Sequence, residues 1–344
     1  LKKYYVTANT AEGFINLLSS NVTNFNQIII LKHPSHTLKT ALIKDIFETY
    51  YSTDDVEILL SALGKQYLDG IIIRNKALAI IDDRIATPDL NGTIEIDCQL
   101  FIKEKPYINK EYEDKFVYYT HSAYNHFKEG LTIHDDLEGI YIKEMDFEKA
   151  DKLAEEFTAK LITSQQKQVR DATTVRRLFG TNTFDGVVNE VPHIIKNLSR
   201  VYHVKGRAGT GKSTFMKKIA EESMKYGYDV ELYHCSFDPQ SIDMVLVPEL
   251  DFCLFDSTDP HEFFPQRDGE EIIDLYEEAV TPGTDEKYKD QIVKVNNRYK
   301  SYMKQGVKEL AKAGGYLERV ENSFVYTHKE KNNISGYIKN QIIK

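Results

Sequence analysis

The chain has 344 residues, 41% of them hydrophobic and 28% charged, a composition that supports folded structure throughout and, at roughly 150 residues per domain, two domains. A formal charge of -9 argues against a protein whose affinity comes from neutralising nucleic-acid phosphates. Cys98, Cys235 and Cys253 are too widely spaced for a disulfide framework or a zinc knuckle, and no apolar run approaches the ~20 residues that span a bilayer. A reducing cytoplasm without membrane contact is the expected setting.

Taken in order, the elements repeat. A-N-T-A-E-G at Ala8 to Gly13 is followed by an apolar strand, Ile28 to Lys32, a loop, His33 to Thr40, and an amphipathic helix. A strand carrying D-V-E (Asp55 to Glu57) comes next, then a paired apolar stretch ending at Ile80-Ile81-Asp82, then a Tyr-rich and finally helical segment. Phe147, Ala150, Leu153, Ala154, Phe157 and Leu161 recur at helical spacing behind Asp146 as N-cap. The polar stretch Thr163 to Thr174 then sets a boundary near residue 172, between domains 1–172 and 173–344.

The second half runs through the same series. T-N-T-F-D-G at Thr181 to Gly186 stands 173 residues beyond its first copy, as does the strand Val201 to Lys205 beyond Ile28 to Lys32, and one residue later in spacing D-V-E-L-Y (Asp229 to Tyr233) matches D-V-E-I-L. Leu254-Phe255-Asp256 answers Ile80-Ile81-Asp82, and Lys304-Gln305-Gly306 answers Lys128-Glu129-Gly130. Alternating strands and helices predict an α/β fold: two tandem three-layer α/β/α lobes with mainly parallel sheets and helical additions.

Only the second copy carries a phosphate motif. G-R-A-G-T-G-K-S at Gly206 to Ser213 fits G-x-x-x-x-G-K-S/T between a strand and the helix Ser213 to Lys225. Gly206, Arg207, Ala208, Gly209, Thr210, Gly211, Lys212, Ser213 and Thr214 are the candidate nucleotide-binding residues, since glycines let backbone N–H groups wrap a phosphate at a helix N-terminus. Lys212 is expected to bridge the β- and γ-phosphates, Ser213 to hold Mg2+, and Asp256, closing the apolar run from Phe252, to be the magnesium carboxylate. Lys212 and Asp256 are thus the catalytic candidates. Asp259 and His261 in D-S-T-D-P-H are near enough in sequence to orient water or a hydroxyl, or belong to a structural loop. Asn182 and Thr183 line a base pocket or form a turn.

At the matching place the first copy reads H-P-S-H-T-L-K-T, His33 to Thr40, with every loop glycine replaced. Pro34 removes a donor and Leu38 puts a side chain where backbone must approach phosphate, so this site is expected to be degenerate although Lys39, Thr40 and Asp82 persist. His33 and His36 lack ligand-spaced partners and read as ordinary loop histidines.

The motif is that of the P-loop NTPase superfamily, and the whole pattern resembles a family of bacterial, largely Firmicute, tandem-repeat ATPases. N-T-x-x-G, G-x-A-G-T-G-K-S-T, D-V-E with His234 to Ser236, Pro248 to Leu250, and D-S-T-D-P-H carry the resemblance. It implies one competent ATP and Mg2+ site, an ATPase or ATP-dependent switch, and a protein or small-molecule partner. Alternatives are a small-molecule or nucleoside kinase, which has only Arg267 between Asp259 and Val293 for phosphate, a helicase, which lacks its Asp-Glu box, and a non-hydrolysing scaffold. No N-K-x-D follows the loop, so adenine is the default base.

Overall fold

Strands in which every residue is apolar must be buried on both faces, and Ile28 to Leu31 behaves so: Ile28 and Ile30 enter one core while Ile29 and Leu31 enter another. The computed structural model describes residues 1–342. The first half runs β1 (Lys2–Tyr5), the hairpin β2 (Thr7–Thr10) and β3 (Gly13–Asn16), short α1 (Leu18–Asn21), β4 (Gln27–Lys32), α2 (His36–Tyr50), β5 (Val56–Leu60), β6 (Leu68–Ile73), β7 (Leu78–Asp82), β8 (Thr93–Asp97), α3 (Lys110–Ile142) and α4 (Phe147–Thr158). The second half follows with β9 (Thr174–Arg177), the hairpin β10 (Gly180–Thr183) and β11 (Gly186–Asn189), α5 (Val191–Ile195), β12 (Arg200–Lys205), α6 (Lys212–Lys225), β13 (Val230–His234), β14 (Ile242–Val247), β15 (Phe252–Asp256), β16 (Glu270–Asp274), α7 (Leu275–Ala279), α8 (Thr284–Lys287), α9 (Lys289–Glu321) and α10 (His328–Gln341).

The two large sheets have the same strand order, β1-β5-β6-β7-β4-β8 and β9-β13-β14-β15-β12-β16. In each, the third strand alone is reversed, because the paired apolar stretch folds back on itself as an antiparallel hairpin. The other pairings are parallel, so the fold is α/β with mostly parallel strands. Helices cover the outer faces. Between the sheets the helical layer is thin, made of α1, α5 and neighbouring turns, and the inner faces share one core that joins Ile30, Ile72 and Ile81 to Met244, Leu246 and Phe255.

The hairpins meet on the axis relating the halves. Asn9 Nδ2 donates to the Asn182 carbonyl at 2.8 Å and Asn182 Nδ2 to the Asn9 carbonyl at 3.3 Å. Thr10 and Thr183 each donate to the carbonyl of the turn glycine, Gly13 or Gly186, at 2.8 Å. The N-T-x-x-G motif thus builds a hairpin turn and the joint between lobes.

The helices exchange. α3 starts beside the first lobe and ends at the second, antiparallel α9 runs the other way, and they pack through Phe127, Gly130, Met303, Gly306 and Leu310. Asn109 caps α3 by accepting from the Glu111 N–H at 3.0 Å, and Thr327 with Glu330 forms a capping box on α10. As a result α4 lies on α6 in the second lobe and α10 on α2 in the first. Each lobe's outer layer therefore contains a helix from the other side of residue 172. Among the described residues no helix is long and apolar enough to cross a membrane.

Candidate functional site

β12 ends at Lys205 and α6 begins at Lys212, and the loop between them closes tightly because Gly209 and Gly211 take φ of +72° and +81°, values costly for any side chain. Thr210 staples it, its Oγ1 donating to the Arg207 carbonyl at 2.9 Å and accepting from the Arg207 N–H at 3.2 Å. No side chain caps α6, which leaves its first N–H groups to the loop interior. Lys212 Nζ donates to the Arg207 carbonyl at 2.7 Å and stands 3.6 Å from Asp256 Oδ2.

Asp256 closes β15, the neighbour of β12, and accepts from Thr258 Oγ1 at 2.5 Å. Ser213 Oγ accepts from the Ile242 N–H at 2.9 Å, which ties the helix to the start of β14. The pairing of Met244 with Phe255 then brings Asp243 level with Asp256 on the adjacent antiparallel strand. Asp243 is buried, and burial together with the charge of Asp256 pushes its pKa up to about 7. A hydroxyl and two carboxylates are the hard oxygen donors that Mg2+ prefers, and a divalent cation is the charge that would replace the proton Asp243 retains. Ser213, Asp256 and Asp243 fit the ion. Sequence reasoning missed Asp243, although a single acid inside the apolar run Ile242 to Val247 was a visible signal.

The remaining candidates divide. Thr214 is exposed and lines the cavity with the loop. Ser257 is fully buried, donating to the Phe263 carbonyl at 2.8 Å and accepting from its N–H at 3.0 Å, which makes it a staple for the following loop. Asp259 meets Lys300 of α9 at 2.6 Å. His261 lies 2.7 Å from the Asn189 amide and edge-on to Phe179, and burial lowers its pKa, so it packs as neutral imidazole. Arg207 points out of the loop to Asp285 at 3.0 Å and over the Tyr276 ring. Asn182 reaches the cavity wall while serving the hairpin joint.

The cavity over the loop has a volume of about 1440 Å³ and takes its far wall from α3 and α9. Glu138, Tyr141, Lys289, Tyr299, Lys300 and Lys304 stand there. Burial and Asp135 raise the Glu138 pKa. A Cβ on Gly209 would fall 2.6 Å from the Glu138 carbonyl oxygen, so the loop apex touches α3. Ala208 is packed among Leu137, Ile140, Tyr276 and Ile292. Residues from α3 are far away in sequence, and no local pattern announces them.

The equivalent loop of the first lobe borders a smaller cavity, about 510 Å³. Thr40 Oγ1 accepts from the Leu68 N–H at 3.0 Å, the same tie that Ser213 makes. Lys39, however, is 1% exposed and clamped by Asp82 at 2.8 Å and Asp83 at 2.5 Å, while His36 holds the other Asp82 oxygen at 2.8 Å. Burial pushes the Asp82 pKa up, but His36 and Lys39 outweigh it and hold it well below the carboxylate range. His33 Nδ1 accepts from the Ser35 N–H at 3.0 Å. In comparison with known proteins, no family model, no curated protein and no solved structure matches the chain.

Proposed function

We propose that the chain binds ATP with Mg2+ at the loop Gly206 to Ser213 and acts as an ATPase or ATP-dependent switch with one competent site, in the manner of P-loop NTPases. One arrangement carries the reading: an uncapped helix N-terminus behind a glycine turn, with Lys212 between the loop and Asp256 at the ends of parallel strands. The loop N–H groups and Lys212 bind the terminal phosphates. Ser213 and Asp256, with Asp243 behind, would hold Mg2+, which would supply charge neutralisation during phosphoryl transfer. Ser257, its hydroxyl taken up by Phe263, holds the loop after β15 in shape and contributes no base. Contacts of Ala208 with α3 and α9 give the switch its output, because displacement of the loop pushes on helices that reach the first lobe.

A second reading is phosphoryl transfer to a small acceptor. A cavity of about 1440 Å³ exceeds the roughly 300–1,000 Å³ usual for one ligand, and Lys289, Lys300 and Lys304 stand in its far wall. Titration calorimetry with MgATP, followed by phosphate release, tests both in wild type and Lys212→Ala. Wild type should bind and release phosphate, with the variant weakened ~100-fold or more. Binding without release favours the acceptor reading, and no binding by wild type removes the nucleotide proposal.

A further inference from the structure

Although the first lobe's loop has lost its glycines, its N–H groups still hold an anion, and the anion comes from the chain itself. Glu321 is the last residue of α9 and is 9% exposed. Its Oε1 accepts from the His36 N–H at 2.8 Å. Its Oε2 accepts from the Thr37 N–H at 3.0 Å and from Ser35 Oγ at 2.8 Å. Three donors at the start of α2 converge on one carboxylate, whose charge the helix N-terminus favours. Lys39 takes no part, being turned to Asp82 and Asp83.

In the repeat frame Ser35, His36 and Thr37 correspond to Ala208, Gly209 and Thr210. Glu321 therefore sits where the second loop faces its proposed phosphate. α9 belongs to the second half of the chain, so the carboxylate is delivered across the axis. The reverse contact is different. Met145 precedes Glu321 by 176 residues, the offset that also relates Gly130 to Gly306, and its Cε lies 3.8 Å from where a Cβ on Gly211 would stand. A thioether is at best a weak acceptor, so this position brings no anion to the second loop.

We propose that Glu321 is a built-in anion, a tethered carboxylate that occupies the first lobe's loop, excludes phosphate and small oxyanions from it, and latches the end of α9 to α2. Tethering gives the carboxylate an effective concentration that free phosphate does not match. Removing it leaves the buried Ser35 hydroxyl and two part-buried N–H groups without that partner in a site shaped for an anion. This inference is independent of what the second lobe does with nucleotide.

The test uses the full chain in a Lys212→Ala background, which suppresses anion binding at the second loop. Thermal unfolding is measured with inorganic phosphate and with chloride at equal ionic strength. Glu321→Ala should lower Tm by roughly 3–8 °C, and millimolar phosphate, but not chloride, should recover part of the loss. The parent with Glu321 should gain nothing from phosphate beyond chloride. Glu321→Gln, which fills the space with a neutral amide, should lose stability without recovery. Unchanged Tm in Glu321→Ala, or equal effects of phosphate and chloride, overturns the proposal. Should Glu321→Ala fail to fold in chloride, refolding in phosphate is expected to rescue it, and failure in both salts counts against the latch.

Discussion

Arg177 and Tyr4 occupy corresponding positions in the two halves and stack on each other at the axis, the guanidinium carbon 3.9 Å from the ring centroid. The D-V-E glutamates of both halves converge there. Glu231 Oε2 lies 2.7 Å and Glu57 Oε2 3.4 Å from the guanidinium, which is 3% exposed. Tyr4 donates to Glu57 at 2.5 Å and Tyr233 to Glu231 at 2.8 Å. One cation thus serves two carboxylates, one from each half.

Removing that cation leaves two buried carboxylates to their more exposed partners, Arg74 for Glu57 and Lys2 for Glu231. Arg177→Leu is expected to destabilise the chain by about 3–5 kcal/mol, measured by urea unfolding at pH 7. A loss below about 1 kcal/mol would mean that Arg74 and Lys2 already balance the pair.

The same cluster sets acid sensitivity. Burial pushes the Glu231 pKa up, but Arg177 and Lys2 outweigh it and hold the group at about 2, below its ordinary 4.5. Arg177 and Arg74 similarly lower Glu57 against its burial. A pKa depressed on folding gives stability that is present above the unfolded value and lost as pH falls toward the folded one. For Glu231 this amounts to about 3 kcal/mol, lost between roughly pH 5 and pH 2. Unfolding free energies at pH 7, 4 and 3 should show this slope, and Glu231→Gln should flatten it.

Under the proposed function, Asp256→Asn should cut phosphate release about 100-fold or more, and magnesium chelation should bring wild type to a similar rate. Asp243→Asn should have a smaller kinetic effect. Because the Asp243 pKa is raised on folding from its ordinary 3.8 to about 7, its contribution in the metal-free protein is fully present below about pH 4 and is lost as pH rises to about 7, and Asp243→Asn should remove that loss. Thermal scans at pH 5 and 7.5 with and without Mg2+ provide the comparison.

Two glycines of α9 should respond oppositely to alanine. A Cβ on Gly306 would stand 2.4 Å from the Phe127 ring, so Gly306→Ala should cost about 1–3 kcal/mol by overpacking the α3 to α9 contact. Gly315 has nothing within 4 Å of that position, and Gly315→Ala should gain up to about 1 kcal/mol of helix propensity. Melting curves of the two variants separate the effects.

What was legible in the sequence was mostly local. The strand, glycine turn and helix around Gly206 to Lys225 follow from residue chemistry at short range, and so does the N-cap at Asp146, which accepts from the Lys149 N–H at 3.1 Å. The duplication was readable because corresponding residues kept their spacing. Long-range delivery was not. Glu138 at the second loop and Glu321 at the first arrive on helices from the opposite half, and periodicity says only that such helices are amphipathic. The reversed β6 and β14 were hidden because an apolar stretch buried on both faces reads alike in either direction.

The exchange of α4 and α10 has a consequence for synthesis. The outer face of the first sheet receives Ile334 and Ile338 from α10, so the half translated first keeps an apolar surface uncovered until α10 emerges. The second sheet has no such wait, since α4 is made before it. The older half therefore depends on α10 of the younger half to finish folding, and loss of α10 by proteolysis or premature termination should expose the first sheet rather than the second.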